Sequence, residues 1–487
     1  MFSFIICLIA LVAGYLVYGR FVENVFGPDP AKTAPAVMMQ DGVDYVPLPT
    51  WKVFMIQFLN IAGTGPIFGA IMGAKFGPSA YLWIVLGCIF GGAVHDYLSG
   101  MLSIRGNGVS LPNIVGEYLG QGAKRAMLVF TTILMLLVGA VFVYSPAIIL
   151  NGIAGNGTGT MMFWIIAIFF YYVIATMLPI DKVIGKVYPL FAFALLFMAV
   201  ALLVGLFVKW PSLPEFWNGL GNRGPSIGLN GQSIFPCLFI TVACGAVSGF
   251  HATQSPLMAK CIKNERYGRR VFYGAMITEG IVALIWASVA SYFFFDGGAA
   301  EVGSDLSAAA PTVVTKVSQS WLGMLGGVLA MLGVVAAPIT SGDTAFRSAR
   351  LIISDFLHID QVKVHKRLLV AVPLFVLSAL LLWYNISDEN GFNIIWRYFG
   401  WANQTLAVIT LWTLSVFLKK HRAGLRHLIT SIPAVFMTVV VISYICVEKI
   451  GFHMAILPSI LIGAGIAFLC FALFLFSGRR TAQNTEA

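Results

Sequence analysis

The sequence predicts an all-α polytopic membrane protein of about thirteen transmembrane helices, two of them broken, and three observations predict it. Hydrophobic residues make up 59% of the 487 and charged residues only 10%, with a mean hydropathy of +0.88. A soluble domain carries roughly 25% charge. The apolar stretches run unbroken for about 18–25 residues, as spanning helices do, instead of alternating over about ten as barrel strands do. Two of these stretches are interrupted by glycine, proline and small polar residues, at 61–69 (IAGTGPIFG) and at 245–256 (GAVSGFHATQSP). An unpaired backbone group in hydrocarbon costs several kcal/mol, so such a break persists only where it is buried in protein or lines a cavity.

Taken in order, residues 2–19 form an apolar segment with no basic residue ahead of it and no small-x-small cleavage site, which reads as a retained first helix and not a signal peptide. A polar stretch with Gly27-Pro28-Asp29-Pro30 and Asp41-Gly42-Val43-Asp44-Tyr45-Val46-Pro47 follows, and apolar character returns at Trp51. The first broken helix is 51–74. Helices are then expected at 78–103, 126–150, 161–179, 187–208, 232–258 (the second broken one), 271–295, 311–339, 368–385, 392–418, 428–447 and 453–477. The seven cysteines are scattered without a CxxC spacing and read as small buried residues, neither disulfide-bonded nor metal-binding. No soluble domain is evident.

The net charge of +10 is a topology signal, not a nucleic-acid signal. Of the 30 lysines and arginines, 24 fall in one set of alternate loops and six (Lys75, Lys209, Arg223, Lys316, Arg397, Lys449) in the other. Cytoplasmic loops carry the excess, so the N-terminus is expected outside, the C-terminus inside and the span count odd. The two breaks then lie in helices of opposite direction. A five-plus-five inverted repeat, 51–208 and 232–418, is the simplest architecture with that property. It is preceded by a first helix and cytoplasmic linker (1–50), divided by an external loop (209–231) and followed by two helices and a short cytoplasmic tail (419–487).

Half-helices at the breaks aim partial positive charge at the bilayer midplane, which favours carboxylates. Candidate substrate-binding residues are Gly63, Thr64, Gly65, Pro66 and Gly69 in the first break and Gly245, Ser248, Gly249, His251, Thr253, Gln254 and Ser255 in the second. Asn403 and Gln404 join them as two amides inside a later helix, bonded across to a neighbour or touching substrate. The alternative for the glycines is close helix packing. Intramembrane ionisable groups are costly and so are functional candidates. His95, Asp96, His251 and Glu279 form a proton-coupling set, with an interfacial structural pair as the alternative for His95 and Asp96. A helix ending at Pro338 is expected to be followed by a turn in which Ser341 or Asp343 caps a short helix, 344–357. Asp343, Arg347 and Arg350 are the residues of that turn that would form a cytoplasmic gate.

With these motifs in view, the chain resembles the carbon-starvation CstA family of bacterial inner-membrane transporters. The resemblance runs from Asp41–Pro47 through Ile61–Pro66, Gly92-Ala93-Val94-His95-Asp96, Ser248-Gly249-Phe250-His251, Tyr273–Met276 with Glu279, Asp343–Arg350 and Phe399-Gly400-Trp401-Ala402-Asn403-Gln404. It implies uptake of peptides or pyruvate when preferred carbon is scarce, and a LeuT-like fold of the amino acid-polyamine-organocation superfamily. The chain is similar to the shorter members; where longer ones often carry a histidine pair ahead of the first break it has Ile56 and Gln57, and His95 stands where a glutamine is common.

The expected function is secondary active import of a small carboxylate-bearing nutrient across the bacterial inner membrane, coupled to protons, with sodium as the alternative ion. The expected partners are that substrate, the coupling ion and the lipid bilayer, with no nucleic acid, cofactor or metal. An ion-coupled amino acid symporter and a nutrient sensor with a transporter core are the other readings. A channel lacks a filter motif or charged ring. An enzyme lacks a third member for Ser248 and His251.

Overall fold

The computed structural model describes residues 1–477 except 43, 156, 179, 230, 360, 362, 389, 390 and 423, and the backbone alone at 180–187, 325 and 393. Val43, the side chains of Lys182 and Lys186, and the tail with Arg479 and Arg480 lie outside the described residues. The chain is helical, with no strand among the described residues. Among the described residues eleven helices are long and apolar enough to cross a membrane, and a bent pair adds a twelfth. The remaining span of the expected thirteen is the second broken one, whose halves are too short to qualify by length.

α1 (Phe2–Phe26) is followed by α2 (Thr50–Ile61) and α3 (Gly65–Ala74), which meet at 56°. The bend follows from the residues. α2 stops at Ile61, Ala62 is non-helical (φ −77°, ψ 53°), and Pro66, which has no N–H for the carbonyl of Ala62, stands in the first turn of α3 where that N–H is not needed. α4 (Ser79–Arg105), α5 (Gln121–Ile153), α6 (Thr158–Met177) and α7 (Ile180–Lys209) complete the first unit. The second unit opens with the short α8 (Ile234–Leu238 and Phe239–Thr241) and α9 (Gly249–Ala259), then α10 (Glu265–Phe295), α11 (Ala310–Leu357), α12 (Val364–Ser387) and α13 (Gly391–His421). α14 (Leu428–Val447) and α15 (Ile456–Phe476) follow.

The two broken helices run antiparallel. The chain entering α2 bonds to the chain leaving α9, Val46 N–H to Lys260 O at 3.2 Å and Leu48 N–H to Cys261 O at 3.0 Å. At the opposite end the close of α3 shares a cavity with residues leading into α8. Ion pairs sort the loops the same way. Glu23–Arg269 (2.6 Å) and Glu265–Arg105 (3.1 Å) tie one end, and Lys209–Glu301 (2.7 Å), Arg397–Glu448 (3.1 Å) and the Met1 amino group with Glu215 tie the other.

The second break is held between two glycine rows. Gly65, Gly69 and Gly73 of α3 face Cys244, Thr241 and Val242, and Gly87, Gly91 and Gly92 of α4 face Ala246 and Val247; a Cβ on any of these glycines would lie within 2.8 Å of those atoms. This is close packing at small residues, with side chains of the break against the glycines and, at Gly69 and Gly92, backbone carbonyls as well. Gly249 is held the same way, since a Cβ there would meet Ala407 N at 2.3 Å and Asn403 O at 2.4 Å. Neither Gly65 nor Gly249 has a left-handed φ. Gly249→Ala is therefore expected to cost about 1–3 kcal/mol through overpacking. Gly465→Ala, with nothing within 4 Å, is expected to be silent. Thermal unfolding midpoints of the two purified variants in detergent check the pair.

Two expectations need correction. The second break covers 242–248, from Val242 (φ −99°, ψ 64°) to the extended Ser248 (φ −143°, ψ 121°), and the helix resumes at Gly249. His251, Thr253, Gln254 and Ser255 thus stand on the opening turns of α9, not in the break. The glycine-rich run looked irregular as far as Pro256, yet Pro256 sits inside α9. Second, no helix ends at Pro338 and no capped turn follows it. α11 passes through Pro338 to Leu357, its kink is at Gly323 (φ 67°, ψ −173°), and its membrane-length part is Gly326–Leu357 in place of 311–339. Neighbours satisfy the backbone near the proline: the hydroxyl of Tyr172 donates to Pro338 O (3.0 Å) and that of Tyr188 to Thr340 O (3.0 Å).

Candidate functional site

The first turn of α9 is anchored by a side chain about 150 positions away. Asn403 Oδ1 accepts from Phe250 N–H (2.7 Å) and from the Ser248 hydroxyl (3.1 Å), so α13 caps α9. The amide group is thus engaged where a substrate carboxylate would compete for the free N–H groups. Gln404, its neighbour, donates to Phe239 O at 3.5 Å, while its buried Oε1 has no partner.

Behind that capped turn four titratable side chains meet, all fully buried. Asp96 of α4 bridges two histidines, Oδ1 to His95 Nδ1 and Oδ2 to His251 Nδ1, each at 2.8 Å. His251 Nε2 lies 3.4 Å from Glu279 Oε2 of α10, in ion-pair range without hydrogen-bond alignment. The cluster therefore links α4, α9 and α10. Both Nδ1 atoms face one carboxylate, which assigns each of them a proton. His251 Nε2 and Glu279 Oε2 thus face each other across a gap where a proton could be taken up, and each proton gained makes the two-carboxylate, two-imidazole cluster less negative. Ser248 and His251 do not bond to each other: the serine hydroxyl faces Asn403 and Cys244.

A row of polar groups on α2 leads to the first break. Gln57 and Asn60 share one face of α2 and Thr64 lies in the break just beyond it; all are buried, and their side-chain polar atoms have no protein partner among the described residues. Such groups are costly unless something polar meets them. α2 packs against α9, α10 and α11. Asn60 was not singled out from sequence, although an amide three residues after Gln57 and one turn before the break was a readable signal. Gly63 packs on the ring of Phe142, and Pro66 stands in the first turn of α3. Gly245 lies against Ala283 and Pro66.

The hydroxyls expected to bind substrate in α9 are engaged locally. Thr253 donates to Phe250 O (2.6 Å) and Ser255 to His251 O (3.1 Å), while Gln254 Nε2 donates to the Thr253 hydroxyl (2.9 Å). Asp343, Arg347 and Arg350 are buried within α11. Asp343 accepts from the Tyr188 hydroxyl (2.6 Å), Arg347 donates to Ala175 O (2.7 Å) and Arg350 to Gln361 Oε1 (2.5 Å). No ion pair joins Asp343 to either arginine among the described residues; the arginines instead tie α11 to the last turn of α6 and to the chain before α12. Among the described residues no group of three His, Cys, Asp or Glu is placed to hold a metal ion.

The chain as a whole has counterparts among known proteins. The chain is similar to the peptide transporter CstA of Escherichia coli, 26% identical over 97% of this chain and 84% of that one. It is also similar to the pyruvate/proton symporter BtsT of the same organism, 29% identical over 58% of this chain and 48% of the symporter. In fold it is similar to a manganese transporter of Eremococcus coleocola (TM-score 0.57, 10% identity, 90% of this chain and 98% of that one) and to a sodium-coupled sialic acid symporter (TM-score 0.56, 12% identity, 99% of each). The fold is thus the LeuT-like one with two broken helices, and the chain is a multi-pass protein of the bacterial inner membrane. The model of the family described as carbon starvation protein CstA matches residues 1–163, 156–320 and 306–444. With its matched segments running from the first helix through α14, the chain belongs to the CstA family.

Proposed function

We propose that the chain is a secondary active transporter that imports a small carboxylate-bearing nutrient, a short peptide or pyruvate, together with a proton. The observation that carries this reading is the buried His95–Asp96–His251–Glu279 cluster, directly behind the first turn of a broken helix. A cluster built on two carboxylates disfavours a further anion nearby while it is negative, and a proton taken up there weakens that opposition. Proton binding and carboxylate binding therefore favour each other, and by linkage each tightens the other equally. Movement of α9 relative to α4 and α10 would alter the distances on which the bound proton depends, tying the proton to the conformational cycle. Gln57, Asn60, Thr64 and the Gln404 carbonyl supply groups for the polar parts of the ligand. The inverted units are taken as 51–208 and 232–418, with Asp343, Arg347 and Arg350 of α11 at the cytoplasmic gate.

The test is purified protein in liposomes, offered labelled pyruvate and labelled dipeptides with and without an inward proton gradient. Accumulation of either above equilibrium, abolished by a protonophore, is the expected result. Exchange without gradient-driven accumulation under a proton gradient, but with it under a sodium gradient, would replace the proton with sodium. Neither uptake nor exchange of any of these solutes would overturn the reading.

A further inference from the structure

At the end of the molecule where basic residues are scarce, a cavity of about 230 Å³ lies between the close of α3, the end of α8 and α13. Met72 and Lys75 line it from the close of α3, Ile240 and Thr241 from α8, and Trp396 and Arg397 from α13. Its inner wall is therefore next to the second break, since Thr241, the last residue of α8, lines it and precedes the break by one position. Two of the six basic residues at this end stand in this one cavity. Their charges are not equivalent. Arg397 pairs with Glu448 at 3.1 Å, and the same carboxylate also accepts from Gln232 Nε2 at 3.0 Å. Lys75 has no carboxylate within 4.0 Å among the described residues, and its ammonium lies 5.0 Å from the ring centroid of Phe294. A half-buried cation without a counter-ion, on the side of the membrane where lysine is disfavoured, calls for an anion.

We propose that this cavity is an outer binding site for a small monocarboxylate, with Lys75 as its charge partner and Trp396 as its apolar wall, occupied before the ligand passes the breaks. The volume is below the roughly 300–1,000 Å³ of pockets for drug-sized ligands, which fits an acid of a few carbons better than a peptide. The proposal rests on the transport reading above and narrows its substrate class.

The experiment measures equilibrium binding of labelled pyruvate to the purified full-length chain in detergent, alongside liposome uptake, for wild type, Lys75→Arg, Lys75→Gln and Lys75→Glu. Lys75→Glu is expected to remove one class of pyruvate sites or weaken it about tenfold, and to raise the KM of uptake while kcat stays within about twofold. Lys75→Arg should bind as wild type does. The difference between wild type and Lys75→Gln should shrink as salt rises and screens the charge. Pyruvate binding of unchanged affinity and stoichiometry in Lys75→Glu overturns the proposal, as does wild-type protein that binds no pyruvate while it transports dipeptides. Because binding is read without a gradient, pyruvate sites lost in Lys75→Glu support the outer site even if no uptake occurs, and that absence of uptake counts against the transport reading alone.

Discussion

Asp96→Asn is expected to reduce gradient-driven uptake by roughly 10²–10³-fold, the consequence of the about 3–5 kcal/mol lost when one partner of a buried charged constellation is removed. The reason lies in the donor count. A carboxylate accepts from two imidazole N–H groups at once, and Asp96 does so from Nδ1 of His95 and of His251 at 2.8 Å each. A carboxamide offers one accepting oxygen and one donating nitrogen, so one ring must switch tautomer and carry its proton on Nε2. If that ring is His251, the nitrogen facing Glu279 becomes a fixed donor and can no longer take up a proton. If it is His95, the proton moves to an Nε2 that is buried without a partner. Both outcomes block the cycle, so exchange between equal substrate pools should fall with accumulation. Size-exclusion chromatography of the variant separates this from failure to insert. Uptake within about threefold of wild type by a well-behaved Asp96→Asn protein would show that Asp96 is not in the coupling path.

The spans were readable because run length and hydropathy are local properties; α14, expected at 428–447, occupies Leu428–Val447. The bend ahead of Pro66 was readable for the same reason, since a proline's missing N–H suits the first turn of a helix. What local pattern cannot carry is which distant residues meet. Phe250 is capped by a residue 153 positions away and His251 bonds to one 155 positions away, so the sequence offered His95, Asp96, His251 and Glu279 as separate candidates with no way to join them. Local rules also misled at two places. Pro338 was read as a helix end, although hydroxyls of Tyr172 and Tyr188 from other helices support the backbone around it. Pro256 was read as part of the second break, although it sits inside α9, and Gly65 and Gly249, read as substrate-binding candidates with close packing as the alternative, meet Cys244 and the backbone of Ala407.

His251→Gln is expected to separate coupling from binding. The glutamine amide can still donate to Asp96, so the packing of α4 against α9 and the negative charge of Asp96 are retained, but no titratable nitrogen faces Glu279. Substrate should still bind and exchange between equal pools at rates within about threefold of wild type. Accumulation driven by a proton gradient should vanish. A difference of one pH unit across the liposome membrane carries about 1.4 kcal/mol per proton, enough for about tenfold accumulation by a one-proton symporter; the variant should stay near equality. The competing account is structural. His251 contacts groups on α4 and α10 at once, so if it served only to hold those helices together, binding, exchange and accumulation would decline in parallel. Measuring the three on one liposome preparation, from about pH 5.5 to 8 to span the ordinary histidine range, distinguishes the accounts. Full, still pH-dependent accumulation by His251→Gln would remove this residue from the proton path and leave Glu279 and the Asp96–His95 pair as the groups to test.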